Sequence, residues 1–182
     1  SGGTEVYTKD PGTGLYPPNF MSHDTMVSLG GGVYQSTSIE GWVVKYSLAD
    51  TSSPPRIFMT EWKDPHGNSA LIQYDANFRV TTVTDAISQV TTFSYVSNTL
   101  GNSGFYKVAT VTDPFSRTAQ FSYDSTITNL LSITDAQGMK SEFVYDPASS
   151  FITAMTNPYG TTSFNNYTPP NSVGYTPRGL RI

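Results

Sequence analysis

Five times along this chain an Asp or Asn opens a short turn, and ten residues later there is a tyrosine. The pairs are Asp64 and Tyr74, Asp85 and Tyr95, Asp113 and Tyr123, Asp135 and Tyr145, Asn157 and Tyr167. Their openings stand 21, 28, 22 and 22 residues apart. With 12 tyrosines in 182 residues, five coincidences at one fixed offset are not an accident of composition. A period of roughly 20 residues means stacked supersecondary units that share one apolar layer.

Aligned on the opening residue, the units carry further apolar markers. Two residues before it stand Trp62, Val83, Val111, Ile133 and Met155, and five before it Met59, Val80, Val108, Leu130 and Ile152. Eight residues after it come Ile72, Phe93, Phe121 and Phe143, with Asn165 breaking the column. Offsets of eight and ten share parity, so this column and the tyrosines point to one face of a strand. The intervening Asp64-Pro65-His66-Gly67, Asp113-Pro114-Phe115-Ser116 and Asn157-Pro158-Tyr159-Gly160 carry type I turn chemistry. Each unit therefore reads as strand, tight turn, strand. The two apolar positions of the incoming strand are three apart, which strict alternation cannot place on one face, so a β-bulge is expected there. No segment sustains a 3.6-residue period, which argues against helices. The expected fold is all-β: stacked antiparallel hairpin repeats forming an open, curved or spiral sheet.

Composition narrows the function. Charged residues are 13% of the chain, against roughly 25% in an average soluble protein. The 10 basic residues are scattered singly and the net charge is -4, so no patch exists to neutralise a row of phosphates. Neither nucleic acid nor an anionic membrane surface is an expected partner. No apolar run approaches the roughly 20 residues of a membrane span, so membrane insertion is not expected. With no cysteine, a disulfide scaffold, a thiolate zinc site and a cysteine nucleophile are excluded. Ser1-Gly2-Gly3 and the stretch ending at Ile182 read as the ends of a segment cut from a longer protein.

Arg79-Val80-Thr81-Thr82-Val83-Thr84-Asp85 and Thr118-Ala119-Gln120-Phe121-Ser122-Tyr123-Asp124 resemble YD repeats of the Rhs family. Asp75, Asp124 and Asp146 follow their tyrosines and complete the signature pair, while Val96 and Thr168 depart from it. Ser88 and Ser116 replace the usual Gly after the turn. The resemblance covers residues 57–168, preceded by an N-terminal β cap region (1–56) and followed by a tail (169–182). It implies a spiral sheet of hairpins from a secreted or surface bacterial protein, a type for which carbohydrate binding has been proposed. In longer relatives many more units close into a shell around a toxic domain.

Outside the repeats, Gly30-Gly31-Gly32 lies between two strand-like stretches without the Lys-Ser/Thr of a phosphate loop, so no nucleotide cofactor is expected. Gly41-Trp42-Val43-Val44-Lys45-Tyr46-Ser47-Leu48 is the best single strand, ended by Thr51-Ser52-Ser53-Pro54-Pro55. His23 and His66 are too few for a metal or triad site, and no metal is assigned. Asp75 with Asp85, or Glu61 with Asp64, are conceivable carboxylate pairs for glycoside cleavage. The simpler reading makes the recurrent Asp residues acceptors of backbone N–H groups in turns. A ladder of turn Asp residues binding calcium is a further alternative.

Two residues past each opening stand His66, Ile87, Phe115, Gln137 and Tyr159, which would line one edge of a stack. Rings paired with Asn and Asp, such as Tyr159 near Asn157, Asn165 and Asn166, are what a sugar site uses. The ligand-binding candidates are therefore Phe115, Tyr159, His66, Trp62, Tyr106 and Asn166. Trp42 and Trp62 also have a plainer reading as core residues. The chain reads as a non-catalytic extracellular module that binds polysaccharide. The rival is a structural segment of a Rhs-type shell with no ligand of its own, joined to the remainder of a larger parent chain.

Overall fold

The computed structural model describes residues 6–167 and 179–181; the sequence-predicted tail and Thr168 otherwise lie outside the described residues. Thirteen strands form one open sheet whose order follows the chain without a crossover. They are β1 (Thr25–Gly30), β2 (Val33–Thr37), β3 (Val43–Ala49), β4 (Ile57–Lys63), β5 (Ser69–Tyr74), β6 (Val80–Thr84) and β7 (Val90–Tyr95). There follow β8 (Val108–Thr112), β9 (Thr118–Tyr123), β10 (Leu130–Thr134), β11 (Lys140–Tyr145), β12 (Ile152–Asn157) and β13 (Gly160–Ser163). A separate two-stranded sheet pairs β14 (Asn165–Tyr167) with β15 (Gly179–Arg181). Among the described residues there is no helix. The chain divides into two compact units, one ending at Thr92 and one beginning at Phe93.

The hairpin turns follow one chemical rule. At the β4–β5 turn the Asp64 N–H donates to the Asn68 carbonyl (2.9 Å), and the Gly67 N–H donates to the Asp64 carbonyl (3.0 Å). This is a three-residue loop, a type I turn closed by a residue in the left-handed region, here Gly67 at φ 92°. The Asp64 carboxylate Oδ1 accepts the N–H groups of His66 (2.9 Å) and Asn68 (2.8 Å). Asp85, Asp113 and Asp135 repeat the arrangement at the β6–β7, β8–β9 and β10–β11 turns. Ser88 and Ser116 stand where Gly67 and Gly138 do, at φ 65° and 64°.

The Asp of each Tyr-Asp pair does the same work at the other end of the strands. Asp75 opens the β5–β6 turn and accepts the N–H groups of Asn77 and Arg79, with the Arg79 Nε on its second oxygen at 2.7 Å. Asp124 and Asp146 anchor loops one residue longer. Val96 lacks a carboxylate, and its N–H, bonded to the Lys107 carbonyl (2.9 Å), closes a long loop of residues 97–106 instead of a tight turn. That insertion accounts for the 28-residue spacing, and it is held down by Phe105, which is 1% exposed.

The expected bulges are present. Tyr74 pairs with Val80 and Gln73 with Thr82, leaving Thr81 as the extra residue. Thr60, Leu131 and Thr153 are extra in the same way. Each bulge restores Val80 and Val83, or their counterparts, to the face carrying the tyrosines. Where hairpin strands diverge beyond the ladder, the tyrosine hydroxyl bridges them. Tyr74 donates to the Met59 carbonyl (2.6 Å), Tyr123 to Val108 (2.9 Å) and Tyr145 to Leu130 (2.8 Å). The +10 tyrosine thus caps the −5 residue of its own unit.

Regular strand structure begins well before residue 57. The β2–β3 hairpin closes with the same geometry, Ser38 N–H to Trp42 O and Gly41 N–H to Ser38 O, with Gly41 at φ 89°. Here Ser38 stands in place of Asp, which is why the unit escaped the sequence alignment. The fifth unit departs at its other end, because Asn157 pairs directly with Gly160 and β13 stops at Ser163.

Two outcomes follow. A Cβ in the left-handed region costs about 1–2 kcal/mol, and serine carries that cost at the β6–β7 and β8–β9 turns. Ser88→Gly and Ser116→Gly are each expected to raise stability by roughly 0.5–1 kcal/mol in chemical denaturation, whereas loss of stability would show that the serine hydroxyls contribute. The second outcome concerns acid. The Asn68 amide lowers the Asp64 carboxyl pKa, the Thr128 N–H lowers that of Asp124, and the Ala148 N–H lowers that of Asp146. At Asp75 and Asp113 partial loss of water opposes the shift, and hydrogen bonds from Arg79 and Arg117 overcome it. A carboxyl that ionises more readily when folded contributes stability fully present above its unfolded pKa of about 3.9. That contribution drains away as the pH falls through the lower folded values. The melting temperature should therefore hold between about pH 5 and 7 and fall below about pH 4; a flat profile down to about pH 2 would refute the role given to the turn carboxylates.

Candidate functional site

The site lies in the first unit, at the turn end of β2–β5. Val44 pairs with Trp62, and Trp62 in turn pairs with Ala70. Trp42 precedes Val44 by two residues, so it reaches the same face as a diagonal neighbour of Trp62. The indole rings stack with centroids 4.8 Å apart and planes inclined by 18°. Both remain accessible, Trp42 at 37% and Trp62 at 47% exposure. The reading of these tryptophans as core is overturned: both rings are exposed, and they cover each other instead.

Local chemistry holds the pair in place. Pro65, at the β4–β5 turn, lies where a Cβ on Gly41 would meet it at 3.4 Å, so the two neighbouring turns abut. The Ser38 hydroxyl accepts the Trp42 N–H (3.2 Å). Small side chains at Ala70 and Ala86 leave a shallow cleft of about 210 Å³ beside the rings. Its other walls are Asp64, Asn68, Ser69 and Asp85. Asp64 is committed to its turn through both oxygens, the second accepting Asn68 Nδ2 at 2.7 Å. Asp85 accepts both of its turn N–H groups on Oδ1, leaving Oδ2 out of the turn. The cleft thus offers a π face, an amide and a carboxylate oxygen, and no cation lines it.

The predicted residues do not form one site. Trp62 belongs to the platform, and His66 is exposed at the adjoining turn tip. In the second unit, Phe115 is exposed at the β8–β9 tip with the Arg117 guanidinium 5.3 Å from its ring centre. Tyr106 stands at the opposite end of β8, edge-on to Phe105 at 4.8 Å. Tyr159 is 87% exposed, more than Phe115, Trp62 or Tyr106, but β13 lies between it and Asn165 and Asn166 in the chain. Of the asparagines expected near Tyr159, Asn157 is beside it and accepts its N–H on Oδ1 (2.9 Å), whereas Asn165 and Asn166 lie in β14, on the separate small sheet.

The carboxylate pairs fare similarly. Asp75 and Asp85 lie at opposite ends of β6, roughly 15–20 Å apart at strand rise, beyond the ~5–9.5 Å that glycoside cleavage uses. Glu61 faces away from the cleft, accepting the Ser69 hydroxyl (2.8 Å) and lying 3.2 Å from Lys63 Nζ. The Ser69 hydroxyl lowers its pKa. Among the described residues no cluster of three or more His, Asp or Glu side chains is placed to hold a metal, and the turn carboxylates suggested for calcium each accept backbone N–H groups of their own turn on Oδ1.

Sequence reasoning named Trp42 but did not pair it with Trp62, and it missed Asn68 and Asp85 as cleft walls. The available signal was Ser38-Ile39-Glu40-Gly41-Trp42, which has the spacing of Asp64-Pro65-His66-Gly67-Asn68 with Ser in place of Asp. No protein-family model matches this sequence, and a search of curated proteins finds no match.

The stack makes a spectroscopic prediction that needs no ligand. Two indoles this close couple their transitions, so the circular dichroism spectrum should carry an exciton couplet lost in both Trp42→Ala and Trp62→Ala. Gly41→Ala, strained by about 1–2 kcal/mol at positive φ and pressed against Pro65, should weaken the couplet. A couplet that survives Trp62→Ala would disprove the stack.

Proposed function

We propose that this chain is a non-catalytic carbohydrate-binding module of the YD-repeat type, with the Trp42–Trp62 platform as its sugar site. The observation that carries the reading is the exposed, pre-stacked indole pair beside a largely apolar cleft with Asn68 and Asp85 in its walls. A pyranose presents an apolar C–H face and a rim of hydroxyls. The first matches an indole surface, and the second matches Asp85 Oδ2 and the Asn68 amide. The rings are already stacked on each other, so little side-chain freedom is left to lose on binding. At about 210 Å³ the cleft is smaller than the ~300–1,000 Å³ of drug-sized sites and suits a single ring of a longer chain lying across the surface. Carboxylates without a cationic partner in the walls favour neutral glycans over those carrying uronic acids or sulfate.

A second reading, a wall segment of a larger Rhs-type assembly, draws on a different observation. Ile72, Phe93, Phe121 and Phe143 are only half-buried, and Phe105 is the fully buried large side chain among the described residues. Such a face gains from a cover supplied by further chain.

A retention assay on insoluble and soluble polysaccharides separates the two. Neutral glycans should retain the protein, and Trp62→Ala should weaken retention about tenfold or more with the hairpins still folded. Phe115→Ala and Tyr159→Ala should bind as the parent does. Retention lost on Tyr159→Ala instead would move the site to the second unit, and no retention on any glycan would leave the wall-segment reading in its place.

A further inference from the structure

The first unit contains a second concavity, with four tyrosines among its six lining residues. Tyr34 on β2 and Tyr46 on β3 are cross-strand partners, and Tyr16 is bridged to Met26 on β1. With Tyr7 and Ile57 these residues line a cavity of about 330 Å³, at the lower end of the ~300–1,000 Å³ range of small-molecule sites. The Tyr16 and Tyr34 rings meet edge to face, 6.3 Å between centroids and 74° between planes. Two walls of the cavity are therefore nearly perpendicular π systems. All six lining side chains are half-buried and none is charged.

This wall chemistry selects by elimination. An anion finds no cation. A sugar finds phenol oxygens but no planar amide or carboxylate to read its hydroxyl rim. A primary ammonium keeps three N–H donors that need strong acceptors. A methylated ammonium needs none, because its charge is spread over methyl groups that pack against ring faces, which attract it through their quadrupoles. Loss of water around the Tyr16 hydroxyl, with Tyr34 beside it, raises its pKa and keeps the phenol neutral. The net charge of -4 adds a long-range pull on a cationic ligand.

We propose that the pocket of Tyr7, Tyr16, Tyr34 and Tyr46 is an aromatic cage for a quaternary ammonium group of the choline type. It uses none of the Trp42–Trp62 cleft, and the two activities stand or fall separately.

The test is a titration of the protein with choline and with tetramethylammonium, followed by tyrosine fluorescence and NMR, against the neutral tert-butyl isostere of choline. Both cations should saturate the site and bind at least about fivefold tighter than the isostere. Tyr34→Leu should weaken cation binding by at least about fivefold, and Tyr34→Phe, which keeps the ring, should retain it. If Tyr34→Leu disturbs the sheet, Tyr16→Leu, in the segment before β1, carries the same expectation. Trp62→Ala should leave cation binding unchanged. Equal affinity for the isostere, no saturable binding of either cation, indifference to both leucine substitutions, or loss in Trp62→Ala would each overturn the proposal.

Discussion

The structure depends on one hydrogen-bonding device: a carboxylate that accepts the N–H groups two and four residues ahead. A tight hairpin leaves these donors pointing inward with no strand to receive them. Asp64, Asp75, Asp85, Asp113 and Asp135 satisfy them from within the turn. Because the device operates at both ends of the strands, every crossing from one strand to the next can be short, and each strand pairs with its sequence neighbour. At Val96, where neither a carboxylate nor a substitute such as Ser38 or Asn157 is present, the chain makes the crossing with a ten-residue loop (97–106) closed by the Val96 N–H on the Lys107 carbonyl and a buried phenylalanine.

Tyrosine and bulge solve the complementary problem. Hairpin strands that twist apart leave a carbonyl stranded on the incoming strand, and the tyrosine hydroxyl reaches it across the gap. The bulge rotates the preceding apolar residue back onto the tyrosine face, at the expense of one unpaired residue. Tyrosine is therefore needed for its length and its hydroxyl as much as for its apolar area. The Asp that follows then begins the next turn, so the Tyr-Asp pair joins the end of one hairpin to the start of the next.

Both proposed sites occupy places where the repeat is altered. In most units the residue two before the turn is aliphatic; in the first it is Trp62, and the preceding hairpin supplies Trp42 to stack on it. The tyrosine cage lies among β1–β4 and the segment before them, ahead of the turn that opens the first of the five repeats at Asp64. A repeated scaffold supplies regular registers, and departures from the repeat turn those registers into surfaces.

The strands, the turns and the bulges were legible in the linear chain because each depends on contacts between residues close in sequence. An offset of ten with Asp at one end already implies a closed loop, and two apolar residues three apart imply a bulge. The candidate sites were not legible to the same degree. Phe115, Tyr159 and Asn166 look alike as aromatic or amide residues near turns, yet strand pairing puts Asn166 on another sheet, with β13 between Tyr159 and both Asn165 and Asn166 in the chain. Trp42 and Trp62 lie in different hairpins, and the turn that brings them together begins with Ser38, outside the Asp pattern. Local hydrogen bonding thus determined the hairpin and its period from sequence alone. The pairing of neighbouring hairpins decided which rings meet, because that register is set by backbone ladders between segments whose side chains carry no mark of their partner.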